Sequence, residues 1–124
     1  MIDFQNGSVF KLKATNPDSI MGQLSDLLIA NETIISAYKG IRDSVVFTNK
    51  RVITVNVQGV TGKKKDFTSI PYSKIQTFSV ESSGVFDLDS ELEIYLSGIG
   101  KVTFEFTGSC NIAQIGQIIA TYVL

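Results

Sequence analysis

Residues 44–57, SVVFTNKRVITVNV, read as two β-strands joined by a tight turn at Thr48-Asn49-Lys50-Arg51. Val45, Val46 and Phe47 lead into the turn. Val52, Ile53, Val55 and Val57 follow it, with Ile53, Val55 and Val57 alternating with Thr54 and Asn56. β-Branched and aromatic side chains suit a pleated surface, and a period of two marks one buried face. Asn49 suits the positive φ that such a turn can require, although Lys50 stands where glycine is usual. The hairpin is expected at the centre of a mostly antiparallel sheet.

Working outward, the strand before the hairpin is expected over residues 33–39, with Ile35, Ala37 and Tyr38 packing, and Gly40 turns it toward Arg42. Further back, Asn16-Pro17-Asp18 is a helix start: Asn16 caps, Pro17 fits the first helical position and Asp18 suits the positive helix end. Ile20, Met21, Leu24, Leu27 and Leu28 then share one helical face, which predicts a helix running to about Asn31. Phe4, Val9, Phe10 and Leu12 are compatible with a short strand or a docked arm. After the hairpin come a loop over residues 59–65 and a strand carrying Phe67 and Ile70. Pro71 ends its ladder, having no N–H to donate. Residues 75–81 form the next strand, and 82–89 a loop. Residues 91–97 and 101–107 alternate cleanly, placing Leu92, Ile94 and Leu96, then Val102, Phe104 and Phe106, inward. Ile112, Ile115, Ile119 and Tyr122 recur at helical spacing, with Asn111 and Gln114 as a capping pair. Gly116 inside this helix implies a close approach to the sheet. The chain reads as one domain: an arm and helix over 1–31, then about seven strands and a closing helix over 32–124. A bent antiparallel sheet plugged by an amphipathic helix satisfies that order.

The chain has no histidine and one cysteine, Cys110. That removes the commonest general base, a Cys–His pair, an internal disulfide and the usual zinc ligand sets. Cys110 precedes the closing helix, where a thiol pKa can be lowered; a small packed side chain is the simpler reading. Asp87, Asp89 and Glu91 lie close together, but a calcium loop needs more oxygen ligands and a tight glycine turn. Gly59-Val60-Thr61-Gly62-Lys63 lacks phosphate-loop spacing, and strands flank its GXXG, so neither a P-loop nor a nucleic-acid clamp is expected. No signal segment or bilayer-length apolar run is present, so a cytoplasmic protein is expected, and the Asn6-Gly7-Ser8 and Asn31-Glu32-Thr33 triplets carry no glycan.

The net charge of −1 conceals an asymmetry. Lys39, Arg42, Lys50, Arg51, Lys63, Lys64, Lys65 and Lys74 meet only Asp43 and Asp66, whereas Glu81, Asp87, Asp89, Glu91, Glu93 and Glu105 later meet Lys101 alone. Three readings stay open: a basic surface for an anionic partner, basic and acidic regions that meet within or between subunits, and an ordinary mixed surface.

Several segments resemble the bacterial pleckstrin-homology-like (PH-like) family. They are Ala37-Tyr38-Lys39-Gly40-Ile41-Arg42-Asp43, Val46-Phe47-Thr48-Asn49-Lys50-Arg51-Val52-Ile53, Gly59 to Lys65 and Ser69-Ile70-Pro71-Tyr72. The likeness continues through Phe78-Ser79-Val80-Glu81, Phe86-Asp87-Leu88-Asp89 with Glu91-Leu92, and Asn111 to Leu124. The resemblance lies in their joint order from about Glu32 onward. It implies a PH-like fold, no catalytic activity or cofactor, and cyclic rings, pentameric for single-domain members. The first reading is therefore a non-enzymatic scaffold that assembles with itself and meets an unidentified protein partner. Its polar inter-subunit surface is placed on Lys50, Arg51, Glu91, Glu93 and Tyr95. The alternative is a peripheral binder of anionic lipid headgroups or phosphate groups through Lys39, Arg42, Lys63, Lys64 and Lys65. No nucleic-acid partner and no metal are expected.

Overall fold

The β-rich segments pair into one eight-stranded sheet. A computed structural model describes residues 1, 4, 9–84, 88–108 and 110–124. In chain order the elements are β1 (Val9–Thr15), α1 (Asp18–Leu24), β2 (Ile34–Lys39), β3 (Asp43–Thr48), β4 (Arg51–Gln58), β5 (Lys64–Pro71), a single 3₁₀ turn (Tyr72–Lys74), β6 (Ile75–Glu81), β7 (Ser90–Leu96), β8 (Gly100–Phe106) and α2 (Ile112–Val123). The spatial order is β5-β4-β3-β2-β1-β8-β7-β6. Neighbours are antiparallel except β1 and β8, which run parallel.

The eight strands fit the expected count of about seven. β1 is a true strand in the middle of the sheet: it pairs with β8 through Val9 and Leu12 and with β2 through Lys13, Ala14 and Thr15. A register shift between Val9 and Leu12 interrupts the ladder with β8, and Lys11 there has φ 52°. A segment that pairs with two different strands and carries a register shift has no regular alternation to read. Leu12 is fully buried and anchors it.

The apolar side chains divide into two packed groups. Leu12, Tyr38, Val45, Phe47, Val52, Phe104, Phe106, Ile115 and Ile119 are among those filling the sheet's concave interior, plugged by α2. Ile20 and Leu24 of α1 pack with Ala37, Val46, Ile53 and Val55 on the other face of β2–β4. Covering both faces accounts for the unbroken run Val45-Val46-Phe47. The alternation of Ile53 and Val55 is real, but that face lies under α1; Thr54, equally buried, points the other way. β7 and β8 follow the expected pattern, with Leu92, Ile94, Val102, Phe104 and Phe106 all buried. A Cβ on Gly116 would lie 3.3 Å from Val80 Cγ1, so α2 does approach β6 closely. Asn111 Oδ1 accepts the Gln114 amide at 3.2 Å and caps α2.

Two local expectations are corrected. α1 stops at Leu24, well before Asn31; Ile20 and Leu24 are buried, whereas Met21 and Leu27 are exposed. The segment that follows is captured by an ion pair instead of continuing the helix. Glu32, with a side chain wholly shielded from solvent, accepts from Arg51 Nε and Nη2 at 2.9 Å each, from Thr48 Oγ1 at 2.7 Å and from the Ile29 amide at 3.1 Å. Arg51 Nη2 also donates to the Leu27 carbonyl at 2.8 Å, and Nη1 to Ser69 Oγ at 2.9 Å. The second correction concerns Asn49. Among the described non-glycine residues only Lys11 and Asn31 have positive φ. Asn49 instead pins the turn to the preceding segment: its Oδ1 accepts the Thr33 amide and its Nδ2 donates to the Asn31 carbonyl, both at 2.9 Å. Thr48 Oγ1 closes the turn by accepting the amides of Lys50 and Arg51 at 3.0 Å.

Two outcomes follow from this packing. Phe104→Ala is expected to lower unfolding free energy by about 3–5 kcal/mol in denaturant titration, because the ring is fully buried. For Glu32, burial pushes the carboxyl pKa up, but the bonds from Arg51, Thr48 and Ile29 outweigh it and hold the pKa below the ordinary glutamate value. A lowered folded-state pKa contributes stability that is present above the unfolded value and lost as pH falls through the folded one. Unfolding free energy measured between neutral and acidic pH should therefore fall more steeply for the native chain than for Glu32→Gln; equal slopes would remove Glu32 from this role.

Candidate functional site

The β2–β3 and β4–β5 connections bring several cations to one end of the sheet. β2 finishes at Lys39, beside Lys13 of β1, its register partner. Arg42 lies in the next loop, and its Nη1 donates to the carbonyls of Val57 and Gly59 at 3.4 Å each. The Val57 amide returns a bond to the Arg42 carbonyl at 2.9 Å. The β2–β3 and β4–β5 loops are thereby tied side by side, bringing the residue 59–63 loop and Lys64 and Lys65 of β5 to the same end. Lys39, Arg42, Lys63, Lys64 and Lys65 are all exposed. The five residues expected to bind an anion thus share one rim.

Sequence reasoning missed four contributors to that rim. Lys11 and Lys13 belong to β1, where the sequence allowed either a short strand or a docked arm. They line a groove of about 490 Å³ with Thr15, Lys39, Gly40 and Ile41. Ile41 and Val60, at the tips of the two tied loops, have relative exposures of 96% and 102%. Their only sequence signal was an apolar residue beside a loop glycine.

The polar residues assigned to an inter-subunit surface separate into two places. Glu93 and Tyr95 project from the outer face of β7 and line a shallow groove of about 360 Å³ with Thr77, Ser79 and Lys101. Lys101 Nζ lies 3.9 Å from Glu93 Oε1, an exposed pair of small energetic weight. Glu91 stands on the same face in a cross-strand row: Glu81 of β6 opposite Glu91 of β7, and Glu91 opposite Glu105 of β8. Like charges directly opposed in a sheet destabilise it. Arg51 is elsewhere, held by Glu32, Leu27 and Ser69; its neighbour Lys50 is exposed at the turn.

Cys110 is half-buried, and burial pushes its thiol pKa up while the Tyr38 hydroxyl opposes the rise; this is a packed thiol. No group of three His, Cys, Asp or Glu among the described residues is arranged to hold a metal ion. Phe86 and Asp87 of the acidic loop, and the Asn6-Gly7-Ser8 triplet, lie outside the described residues. Among the described residues no helix is long and apolar enough to cross a membrane.

Comparison with known proteins agrees with this architecture. A family model described as Bacterial PH domain matches residues 3–123. The chain is 40% identical over 119 residues to the uncharacterized protein YjqA of Bacillus subtilis (strain 168), covering 94% of this chain and 95% of that one. It is similar to a crystal structure of a DUF1696 family protein with a pleckstrin-homology domain from Shewanella loihica, with TM-score 0.81, 38% identity and coverage of 95% and 100%. It is also similar to a pleckstrin homology domain from Shewanella amazonensis, with TM-score 0.68, 40% identity and coverage of 89% and 90%.

Proposed function

The chain belongs to the bacterial PH domain family, and on that premise we propose that it is a non-enzymatic binding module, working in the cytoplasm as a closed, pentameric homo-oligomeric ring that mediates protein–protein interaction. The observation that carries this reading is the opposite charge of the sheet's two outer strands. β5 presents exposed Lys64 and Lys65 beside Lys63, whereas β6 ends in exposed Glu81, in register with Glu91 of β7. Both outer strands have one edge without a strand partner in the sheet order. Such edges recruit further chains unless they are covered or charged. Two unlike patches that complement each other make a head-to-tail contact, and such a contact closes into a ring when its rotation allows. Tyr95 and Glu93 lie beside the acidic row and extend the receiving face.

Light scattering on a sizing column at tens of micromolar should return the mass of a pentamer. Lys64→Glu with Lys65→Glu should dissociate it, and adding Glu81→Lys with Glu91→Lys should restore it. A monomer under these conditions refutes the assembly; a closed ring of another size refutes only the pentamer.

A second reading, a peripheral binder of anionic lipid, is favoured by the two loop tips. Ile41 and Val60 stand free of the protein surface beside exposed Lys39, Arg42 and Lys63. Apolar side chains flanked by cations suit a membrane interface, where burial of the tips adds to attraction by acidic headgroups. Vesicles containing phosphatidylglycerol should co-sediment the chain in a salt-sensitive manner, and Ile41→Asp with Val60→Asp should weaken this while leaving stability within about 0.5 kcal/mol. Equal sedimentation with neutral phosphatidylcholine vesicles refutes this reading.

A further inference from the structure

α2 packs on β6, β7 and the 3₁₀ turn. A pocket of about 230 Å³ that no α2 residue lines lies between β5 and the β7–β8 turn. These two elements stand near opposite ends of the sheet order, and the curl of the sheet brings them together. Phe4, Ile70 and Leu96, all buried in the core, line the pocket with Pro71 and the half-buried Ile99. Phe4 is held there by an edge-to-face contact with Phe104, ring centroids 6.4 Å apart. Such a lining offers water few hydrogen-bond partners, whereas an apolar guest gains contacts on several sides. An apolar cavity of about 150 Å³ already accepts benzene, so this pocket has room for a phenyl-sized group and a short chain.

The rim is polar and carries one sign. Lys74 is exposed there, and among the described residues it has no ion pair. The Met1 ammonium, also at the rim, is held by Asp66 Oδ2 at 2.7 Å. Among the described residues no carboxylate lines the pocket. β5 is the last strand of the sheet, and an antiparallel edge strand turns the N–H of every second residue away from its partner. At least one of Thr68, Ser69 and Ile70 therefore directs its amide to the open side. We propose that this pocket binds a small carboxylic acid with an apolar body, an arylalkanoate or a short branched-chain acid. The body lies on Phe4, Ile70 and Leu96. The carboxylate sits at the rim, where it accepts from the Lys74 ammonium and the edge amide of β5. The site is separate from Lys64 and Lys65 at the other end of β5 and from the Lys39–Arg42 rim, so it stands apart from the ring and membrane readings.

The test titrates the full chain with 3-phenylpropionate and follows amide NMR shifts and the thermal midpoint. The amides of Ile70, Leu96, Ser97 and Ile99 should move saturably at millimolar concentration, and the midpoint should rise because the ligand binds the folded chain. The neutral alcohol 3-phenylpropan-1-ol should bind about tenfold more weakly, and propionate, which lacks the ring, should leave these amides unmoved. Lys74→Gln should weaken the acid about tenfold yet change the alcohol by no more than about twofold. Ile99→Phe, which fills the pocket from its wall, should abolish binding of both. Should that variant fail to fold, the comparison of acid and alcohol in Lys74→Gln still decides. Absence of saturable shifts at these four amides overturns the site. Equal affinity for acid and alcohol overturns the ligand class. Shifts centred on Lys39 and Lys63 overturn the proposal too, because the acid is then drawn by general charge.

Discussion

A carboxylate sealed from water must be fully compensated, and much of this fold is arranged around meeting that requirement at Glu32. Four donor contacts converge on its two oxygens, two of them from the Arg51 guanidinium. The fork geometry of that guanidinium matches the carboxylate, and its remaining N–H groups reach Leu27 and Ser69. The pair therefore joins the segment after α1, the β3–β4 turn and β5. Tyr72 extends the connection: its hydroxyl donates to the Thr48 carbonyl at 2.7 Å, and its ring stacks on Tyr122 of α2 at 5.2 Å. Burial pushes the Tyr72 pKa well up, with Tyr122 and Glu32 adding to the rise, so the hydroxyl keeps the proton it donates. One polar network thus ties both helices' surroundings to the same turn. Removing one member leaves another buried and uncompensated, so the network specifies the arrangement more than it adds net stability.

That network also determines which surfaces remain available. With the segment after α1 drawn down onto β4 and β5, α1 covers the outer face of β2–β4, and α2 fills the concave side. Neither helix occupies the outer face of β6–β8 or the loop rim at the end of β1–β5. Charges gather at both places, positive at the rim and negative in the Glu81–Glu91–Glu105 row, of which Glu81 is exposed and the other two half-buried. The separation of sign along the chain becomes a separation in space because the two halves of the chain build opposite sides of one sheet.

Long alternating strands were legible in the sequence because their period survives any context. Residues of β7 and β8 face as their pattern required, and α2 carries the cap at Asn111 and the tight spot at Gly116 that its sequence suggested. The family resemblance identified the fold as PH-like, which periodicity alone did not. Tertiary override explains the misses. The helical spacing of Leu27 and Leu28 was genuine, but a buried ion pair between residues 19 positions apart competes for that segment and wins. Asn49 was read for its backbone freedom, whereas it acts through its side-chain amide. Arg51 carried the right weight for the wrong reason: it was marked as a surface charge, and burial of its partner made it structural. The rim cations were half legible, since Lys39, Arg42 and Lys63–Lys65 stand out as a charge excess. Lys11 and Lys13 do not, because they flank a single buried leucine in a strand whose pairing is interrupted by a register shift.

β1 links the architecture to the candidate site. Placed between β2 and β8, it joins the two halves of the sheet, and to do so it must pair parallel on one side and antiparallel on the other. Those ladders space their hydrogen bonds differently, so a strand that changes partner along its length needs an irregularity. The irregularity falls at Lys11, inside the ladder to β8 and just before the residues that pair with β2. Leu12 is fixed inward by burial, which leaves Lys11 and Lys13 on the outer side, next to the end of β2. The joining of the sheet's two halves and the clustering of three lysines therefore meet at the same strand. A chain that closed the sheet with glycine at position 11 would satisfy the backbone more easily and would present one cation fewer to the groove.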